Sequence, residues 1–367
     1  MRARLPAVFV GLATLTALVV MPVRDGAARA ADPVDRQLDD VVAIAADDAW
    51  AVGGDLLVHW DGAAWTAVDP GILRQHRLTA VAANGPDDVW AVGTLVSMER
   101  NLPLVMHFDG ATWERVYVPR PEGDAILQDV VVRPSGEVWV VGYWTLWTPT
   151  FNDDGALAYR SEGSTWRRVK VPGEVTYLGA ASPSGANGLW AVGWLTDPLT
   201  HPAALRWNGS SWRVHRLPEP SDDNLATDVV ALGPGRVWVV GSAWRDLASD
   251  WLDGVYIVRW NGQRWTTERT TPEAALSAVS AGPGGALVAV GQARPDFRAM
   301  AMTRDTAGWR RVTVPAPARE SALLGIDVRT GTDAWAVGRR QGTDGWADPM
   351  AMHWDGSAWT RVPMPTT

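Results

Sequence analysis

Trp50-Ala51-Val52-Gly53, with Leu38 twelve residues ahead of the Trp and Trp60-Asp61-Gly62 and Trp65 behind it, is a stretch that returns along the whole chain. The motif or a close variant ends at Gly53, Gly93, Gly142, Gly193, Gly241, Gly291 and Gly338, at spacings of 40, 49, 51, 48, 50 and 47 residues. The leading Leu recurs as Leu38, Leu78, Leu127, Leu178, Leu276 and Leu323, and Leu225 is displaced by one. Trp207-Asn208-Gly209 with Trp212, Trp260-Asn261-Gly262 with Trp265 and Trp354-Asp355-Gly356 with Trp359 repeat the trailing part. Asp-Gly or Asn-Gly between alternating apolar runs predicts a type I′ hairpin turn, which needs positive φ at both central residues. Each repeat then reads as strand a opened by the Leu, a polar turn, strand b with Trp-Ala-Val-Gly, a loop, strand c, a tight turn and strand d.

Seven such units of four antiparallel strands predict an all-β, seven-bladed β-propeller. A linear solenoid should carry polar caps at its ends, whereas the first and last repeats here are among the most regular. The blades fall at approximately 37–70, 77–119, 126–172, 177–218, 224–270, 275–315 and 322–364, leaving no room for a second domain in residues 31–367. Blade six departs from the pattern with Val288 for the strand-b Trp and Arg304-Asp305-Thr306 for the turn, and blade three has Ser161-Glu162-Gly163; both keep the strand-d Trp, at Trp309 and Trp166. Because every repeat runs from a to d, the ring is expected to close by packing of blade seven on blade one, without strand exchange.

Arg2 and Arg4, the apolar run from Leu5 to Met21 and Ala28-Arg29-Ala30 read as a secretory signal peptide over residues 1–30. Pro6 and Gly11 interrupt the run, which is short for a spanning helix, so a secreted chain without a transmembrane segment is expected. Removing residues 1–30 takes away four Arg and one Asp and moves the formal charge from -8 to -11. Such acidity, with no Lys/Arg run to offset it, excludes nucleic acid as a partner class. Lys170 is the single lysine, and the scattered arginines read as compositional bias. The absence of Cys excludes disulfides, thiolate metal sites and a thiol nucleophile.

The repeat resembles the kelch-type propellers, including that of galactose oxidase, in its apolar strand ending in Gly followed by an aromatic-Asp turn and a Trp. It is more similar to exported actinobacterial proteins with Trp-Ala-Val-Gly and His-Trp-Asp-Gly repeats, and less so to the photosystem assembly propellers. The resemblance implies the fold and transfers no catalytic residue. The galactose oxidase copper site needs a Tyr crosslinked to Cys, and the sialidase Asp box has a different spacing.

The template accounts for 17 of the 23 Trp as inter-blade core. The other six, Trp144, Trp147, Trp194, Trp244, Trp251 and Trp346, all lie between the strand-b Gly and the strand-c turn, with Tyr143, Phe151 and Phe297. That segment varies from six residues in blade one to 18 in blades three and five, so one rim should be tall and aromatic. Together with Asp153, Asp154, Asp197, Asp246, Asp250 and Asp348, these residues suit a surface that stacks on sugar rings or buries a protein partner's side chains. The alternative is that they pack the long hairpins onto one another.

On strand a, ten residues before the strand-b position, acids recur at Asp40, Asp129 and, by a slipped alignment, Asp228. They are candidates either for a Ca²⁺ site, since that ion prefers carboxylate oxygens, or for acceptors of backbone N–H groups from the neighbouring blade. His59, His107 and His353 share one repeat position with Arg160, Arg206 and Arg259 and read as solvent-side strand residues. No nucleophile motif or ligand-spaced His cluster is present, and no other cofactor is implied. The leading functional reading is an exported, monomeric, non-catalytic propeller that binds a carbohydrate or an exported protein on the b-to-c face. The alternatives are a carbohydrate lyase or hydrolase using the same cup with His201, and a scaffold for another exported protein.

Overall fold

The computed structural model describes residues 36–148, 152–196, 200–221, 223–246, 251–268, 274–315, 320–343 and 345–365. Side chains at 152, 245, 246 and 251–253 are outside that description. The described chain forms seven four-stranded antiparallel sheets, each with its strands in sequence order. Blade one comprises Asp40–Ala45, Asp48–Gly53, Leu56–Trp60 and Trp65–Ala67 as strands a to d. Strand a of every blade touches strand a of the blades on either side, including blade seven against blade one, so the seven first strands form a closed inner ring. This is a seven-bladed β-propeller, with no strand exchanged at the seam. No helix among the described residues is long and apolar enough to cross a membrane.

The strand-b Gly is required by a close approach. In blades two to seven a one-residue bulge interrupts strand a at its crossing of strand b, as between Leu78 and Ala80 or Leu178 and Ala180. A Cβ placed on Gly53, Gly93, Gly142, Gly193, Gly241, Gly291 or Gly338 would lie only 1.8–2.3 Å from a carbonyl oxygen of strand a or, for Gly53, of Gln37 just ahead of it. The bulge also resolves the offset of blade five: Ala226 takes the place opposite Gly241, and Asp228 stands opposite Val240 in the same register as Asp40 opposite Val52.

The Trp-Asp-Gly turn differs from the expected type I′ hairpin. Trp60 pairs with Trp65, leaving residues 61–64 as the loop, and of its residues only Gly62 has positive φ. Asp61 keeps negative φ because its Oδ1 accepts the N–H groups of Ala63 and Ala64, both at 2.9 Å. Asp109, Asn208, Asn261 and Asp355 accept the corresponding pairs of N–H groups in their blades.

Blades are joined by tryptophan. The strand-b Trp of one blade enters the aromatic pair on strands c and d of the next: Trp50 meets Phe108 and Trp113 at 5.1 and 5.3 Å, Trp139 meets Trp207 and Trp212, and Trp190 meets Trp260 and Trp265. Strand-d rings stand edge-on to it, at interplanar angles of 77–86° for Trp113, Trp212, Trp265 and Trp65. Their buried indole N–H groups have no conventional acceptor, and the edge-to-face arrangement turns them toward the neighbouring π system. The seam uses the same device, with Trp335 of blade seven 5.0 Å from both Trp60 and Trp65 of blade one. Val288 replaces the Trp at the junction of blades six and seven, where it packs beside Trp354 and Trp359.

Trp335→Ala is therefore expected to cost about 3–5 kcal/mol by opening a cavity at the seam, and Val288→Ala less than half of that. Guanidinium denaturation followed by circular dichroism measures both; equal losses would mean that the seam is not held by the Trp contact.

Candidate functional site

The topology puts the a-to-b and c-to-d turns on one face of the ring and the b-to-c loops and d-to-a connections on the other. The hairpins of blades three and five extend furthest past the strand-b Gly in the described residues. In blade three, strands b and c, Val138–Trp147 and Asn152–Glu162, pair without interruption from Trp139 opposite Arg160 to Trp147 opposite Asn152, so strand b runs five residues past Gly142.

Beside this hairpin lies a cleft of about 420 Å³ at the junction with blade four, lined by Trp144, Asp153, Asp154, Arg168 and Lys170 among others. Trp144 is half-buried and lies across Gly155, where a Cβ would come 2.7 Å from its Nε1, so this glycine admits the indole. The Arg168 guanidinium stands 5.8 Å from the Trp144 ring centre. Asp153 and Asp154 are exposed, and partial desolvation together with the adjacent Asp153 charge raises the Asp154 carboxyl above its usual value. Two acids and two bases thus surround one indole, with Trp147, 64% exposed, at the tip of the hairpin.

The other rim residues divide. Trp194 stacks on Tyr177 at 3.8 Å and 4°, Tyr143 follows at 5.2 Å, and the Tyr177 hydroxyl donates to Gln128 Oε1, so these rings pack blade three on blade four. Trp244 and Phe297 hold the Arg294 guanidinium at 5.7 and 4.8 Å. Trp346 on blade seven is 47% exposed, and Asp348 pairs with Arg340 at 2.8 Å. Phe151, Asp197 and Asp250 lie outside the described residues, as do the side chains of Trp251 and Asp246.

The strand-a carboxylates bridge blades. Asp40 accepts Val41 N–H and, from blade two, Val81 N–H at 2.9 Å. Asp129 does the same with Val130 and Ala181 of blade four, and Asp228 with Val229 and Val279 of blade six. The remaining junctions use Thr79 to Leu127 O, Ser182 from Ala231 N–H, Ser280 from Val328 N–H and Asp327 from Ala43 N–H, so all seven are bridged. Both oxygens of Asp40, Asp129 and Asp228 are thereby engaged, the backbone-acceptor arrangement. Among the described residues no group of three or more His, Cys, Asp or Glu is placed to hold a metal ion. Burial first, and then repulsion from Asp228 and Asp327, pushes Asp40 up to about 7; burial takes Asp228 to about 6.

His59, His107 and His353 are not simple solvent-side residues. Each ring contacts the strand-b Trp of its own blade, at 4.3, 4.2 and 4.6 Å, and bonds through Nε2 to Asp48, Asp88 or Asp333, two residues before that Trp. Arg160 takes the same place over Trp139 and pairs with Glu137. An acid two residues ahead of the strand-b Trp was the available signal. Arg168 ends strand d and Lys170 follows it, so both stand outside the b-to-c segment whose composition marks the rim.

No protein-family model matches the chain, and no curated protein matches it. Among solved structures it is similar to YCF48 bound to a D1 peptide, at 16% identity over 84% of this chain and 92% of that one, with a TM-score of 0.58. It is also similar to a family PL25 polysaccharide lyase, an ulvan lyase, bound to -[GlcA(1-4)Rha3S]-, at 10% identity over 90% and 98% of the two chains, TM-score 0.60. A protein of unknown function from Dyadobacter fermentans shares 12% identity over 76% and 95%, TM-score 0.55. These likenesses define the class: a β-propeller.

The carboxylates set a pH dependence. Asp40 and Asp228 have folded values above the ordinary 3.8, so between about pH 4 and 7 the folded ring holds protons that the unfolded chain has released, and stability falls as pH rises through that window. Turn acids act oppositely. Asp61, Asp109 and Asp355, lowered by their backbone N–H bonds, give stability that is present above 3.8 and lost on acidification. Thermal melts should peak at about pH 4–5, and Asp228→Asn should flatten the upper limb. A melting temperature that climbs steadily to pH 7 would contradict the assignment.

Proposed function

We propose that this chain is an exported, monomeric, non-catalytic propeller of the kelch-like type, which binds a carbohydrate in the cleft beside the blade-three hairpin. The carrying observation is the convergence of Asp153, Asp154, Arg168 and Lys170 around the half-buried Trp144, with Trp147 exposed above them. Carboxylates accept from sugar hydroxyls, guanidinium and ammonium donate to them, and an exposed indole offers a flat apolar face to a pyranose ring. Most of the remaining described rim aromatics are engaged in packing, which leaves this cleft as the place where polar groups of both signs meet an aromatic wall. Propellers of similar fold have been captured with a peptide and with an acidic oligosaccharide, so an occupied face is compatible with the architecture.

One observation favours a carbohydrate-active enzyme as the second reading. On the same face His201 Nδ1 lies 3.0 and 3.1 Å from the two Glu219 oxygens, an orientation that leaves Nε2 directed elsewhere as a possible base. Release of unsaturated or reducing sugar ends from polysaccharide by the wild type, abolished in His201→Ala, would decide for it.

For the binding reading, a glycan array identifies ligands and calorimetry then compares variants. Trp147→Ala and Lys170→Gln are each expected to weaken the best hit about tenfold with an unchanged melting temperature. A fall in melting temperature with affinity retained would assign both residues to packing.

A further inference from the structure

A second cleft lies on the same face at blade two, away from the Trp144 cleft. It measures about 440 Å³ and is lined by Arg74, Ser97, Glu99, Arg100, Leu102 and Arg120. Arg74 comes from the connection entering the blade, Arg100 from its b-to-c loop, and Arg120 from the connection leaving it. Among the described residues none of these three guanidinium groups is ion-paired, and Glu99 pairs with none of them. Arg115, on strand d, is half-buried with its guanidinium 4.8 Å from the Tyr117 ring, and its Nε is buried without an acceptor. A protein of net charge -8 thus gathers four arginines that form no ion pair among the described residues.

The loop that carries Arg100 is rigidly built. Ser97 Oγ accepts the N–H groups of Glu99 and Arg100 and donates to Arg100 O. Val96 N–H donates to Gln75 O on the incoming side, and Asn101 N–H to Asp124 Oδ1 at the start of strand a of blade three, so the loop is tied to the incoming connection and to the next blade. The loop itself carries Met98, Leu73 directly precedes Arg74, and Tyr117 stands by Arg115; they are three of the five large hydrophobic residues that are exposed in the described chain. Leu73 and Met98 are fully exposed.

Arginine forks match carboxylates bidentately. Exposed aliphatic side chains pack on protein side chains rather than on sugar hydroxyls, and the combination of Arg, Met and Tyr is the one enriched where proteins meet. We propose that this cleft docks an acidic segment of a partner protein, with carboxylates on Arg74, Arg100 and Arg120 and apolar side chains on Leu73, Met98 and Tyr117. The proposal rests on the reading of this face as a binding surface and is independent of the carbohydrate assigned to the blade-three cleft.

The probe is a fluorescein-labelled peptide carrying Asp, Glu and Leu, titrated by anisotropy against the full chain beside its Asn/Gln/Leu counterpart. The acidic peptide should bind at least about tenfold more tightly than the amide one, and weaken between about 50 and 500 mM salt. Arg74→Gln and Arg120→Gln should each weaken it about three- to tenfold, and Glu99→Gln should tighten it. Met98→Ser should weaken it several-fold, a loss that diffuse attraction to positive charge would not produce. Trp emission and melting temperature monitor the fold of each variant, and Trp147→Ala and Lys170→Gln should leave peptide affinity unchanged. Equal affinity for the two peptides, indifference to the Arg substitutions, or displacement by an oligogalacturonate that binds more tightly than the acidic peptide would overturn the proposal. Loss of glycan binding with peptide binding intact would instead count against the blade-three reading alone.

Discussion

The ring depends on one contact made repeatedly, the indole of strand b inserted between the strand-c and strand-d aromatics of the following blade. A four-stranded sheet cannot bury both faces alone, and a large flat ring set edge-on against another removes much apolar area from water while fixing the angle between sheets. Trp50, Trp139, Trp190 and Trp335 are buried in this way. The strand-b Gly two residues beyond Val or Ala makes the insertion possible, because it lets the bulged first strand cross close behind and so draws the sheet inward. Where Val288 stands instead, the neighbouring Trp354 and Trp359 still face it, so the socket outlives its usual occupant.

The inner ring answers a different constraint. A bulge in strand a leaves N–H and C=O groups of one blade facing the next, and buried polar groups of that kind must find partners. Side chains of Asp, Ser and Thr supply them at every junction, and which of the three appears varies by blade. Burial first, and repulsion between the neighbouring carboxylates after it, raises Asp40 and Asp129. Both oxygens of Asp40, Asp129 and Asp228 accept N–H bonds, so these acids serve as connectors whose charge is a liability the backbone bonds offset only in part.

The repeat was legible because its positions obey a local rule: Leu, Trp, Gly and the turn Asp each answer one steric or hydrogen-bonding demand repeated in every blade. Where two solutions satisfy the same demand, the letters did not distinguish them. Asp-Gly fits a two-residue type I′ turn and equally a four-residue loop capped by the Asp oxygen, and the chain uses the second. Thr79, Ser182 and Ser280 bridge blades as the acids do, but a hydroxyl does not stand out from the repeat as a recurring carboxylate does. The rim was least legible. Trp194 and Trp147 occupy similar segments, but one stacks on Tyr177 and the other stands in solvent, a difference set by the residue that faces Trp194 from strand a of its own blade. Arg168 reaches the Trp144 cleft from the end of strand d and Lys170 from the connection after it, so no reading confined to the loop segment finds them.

Length varies most on one face of the ring, and that has a mechanical cause. The a-to-b turns are short, and most c-to-d turns are held by the side-chain oxygen of their own Asp or Asn, so substitution there disturbs the pairing of two strands at once. The b-to-c hairpins extend beyond Gly142 or Gly241 into solvent, where added residues pair with each other and ask nothing of the ring. Charge is distributed accordingly. The chain is acidic as a whole, but arginines that form no ion pair among the described residues gather on the open face at blade two, and mixed charges gather beside Trp144 at blade three. A fold that meets its own polar and apolar demands at the inner ring and between the blades has no structural use for these groups. Their cost in unpaired charge and exposed Leu73, Met98 and Trp147 is consistent with a ligand that completes them.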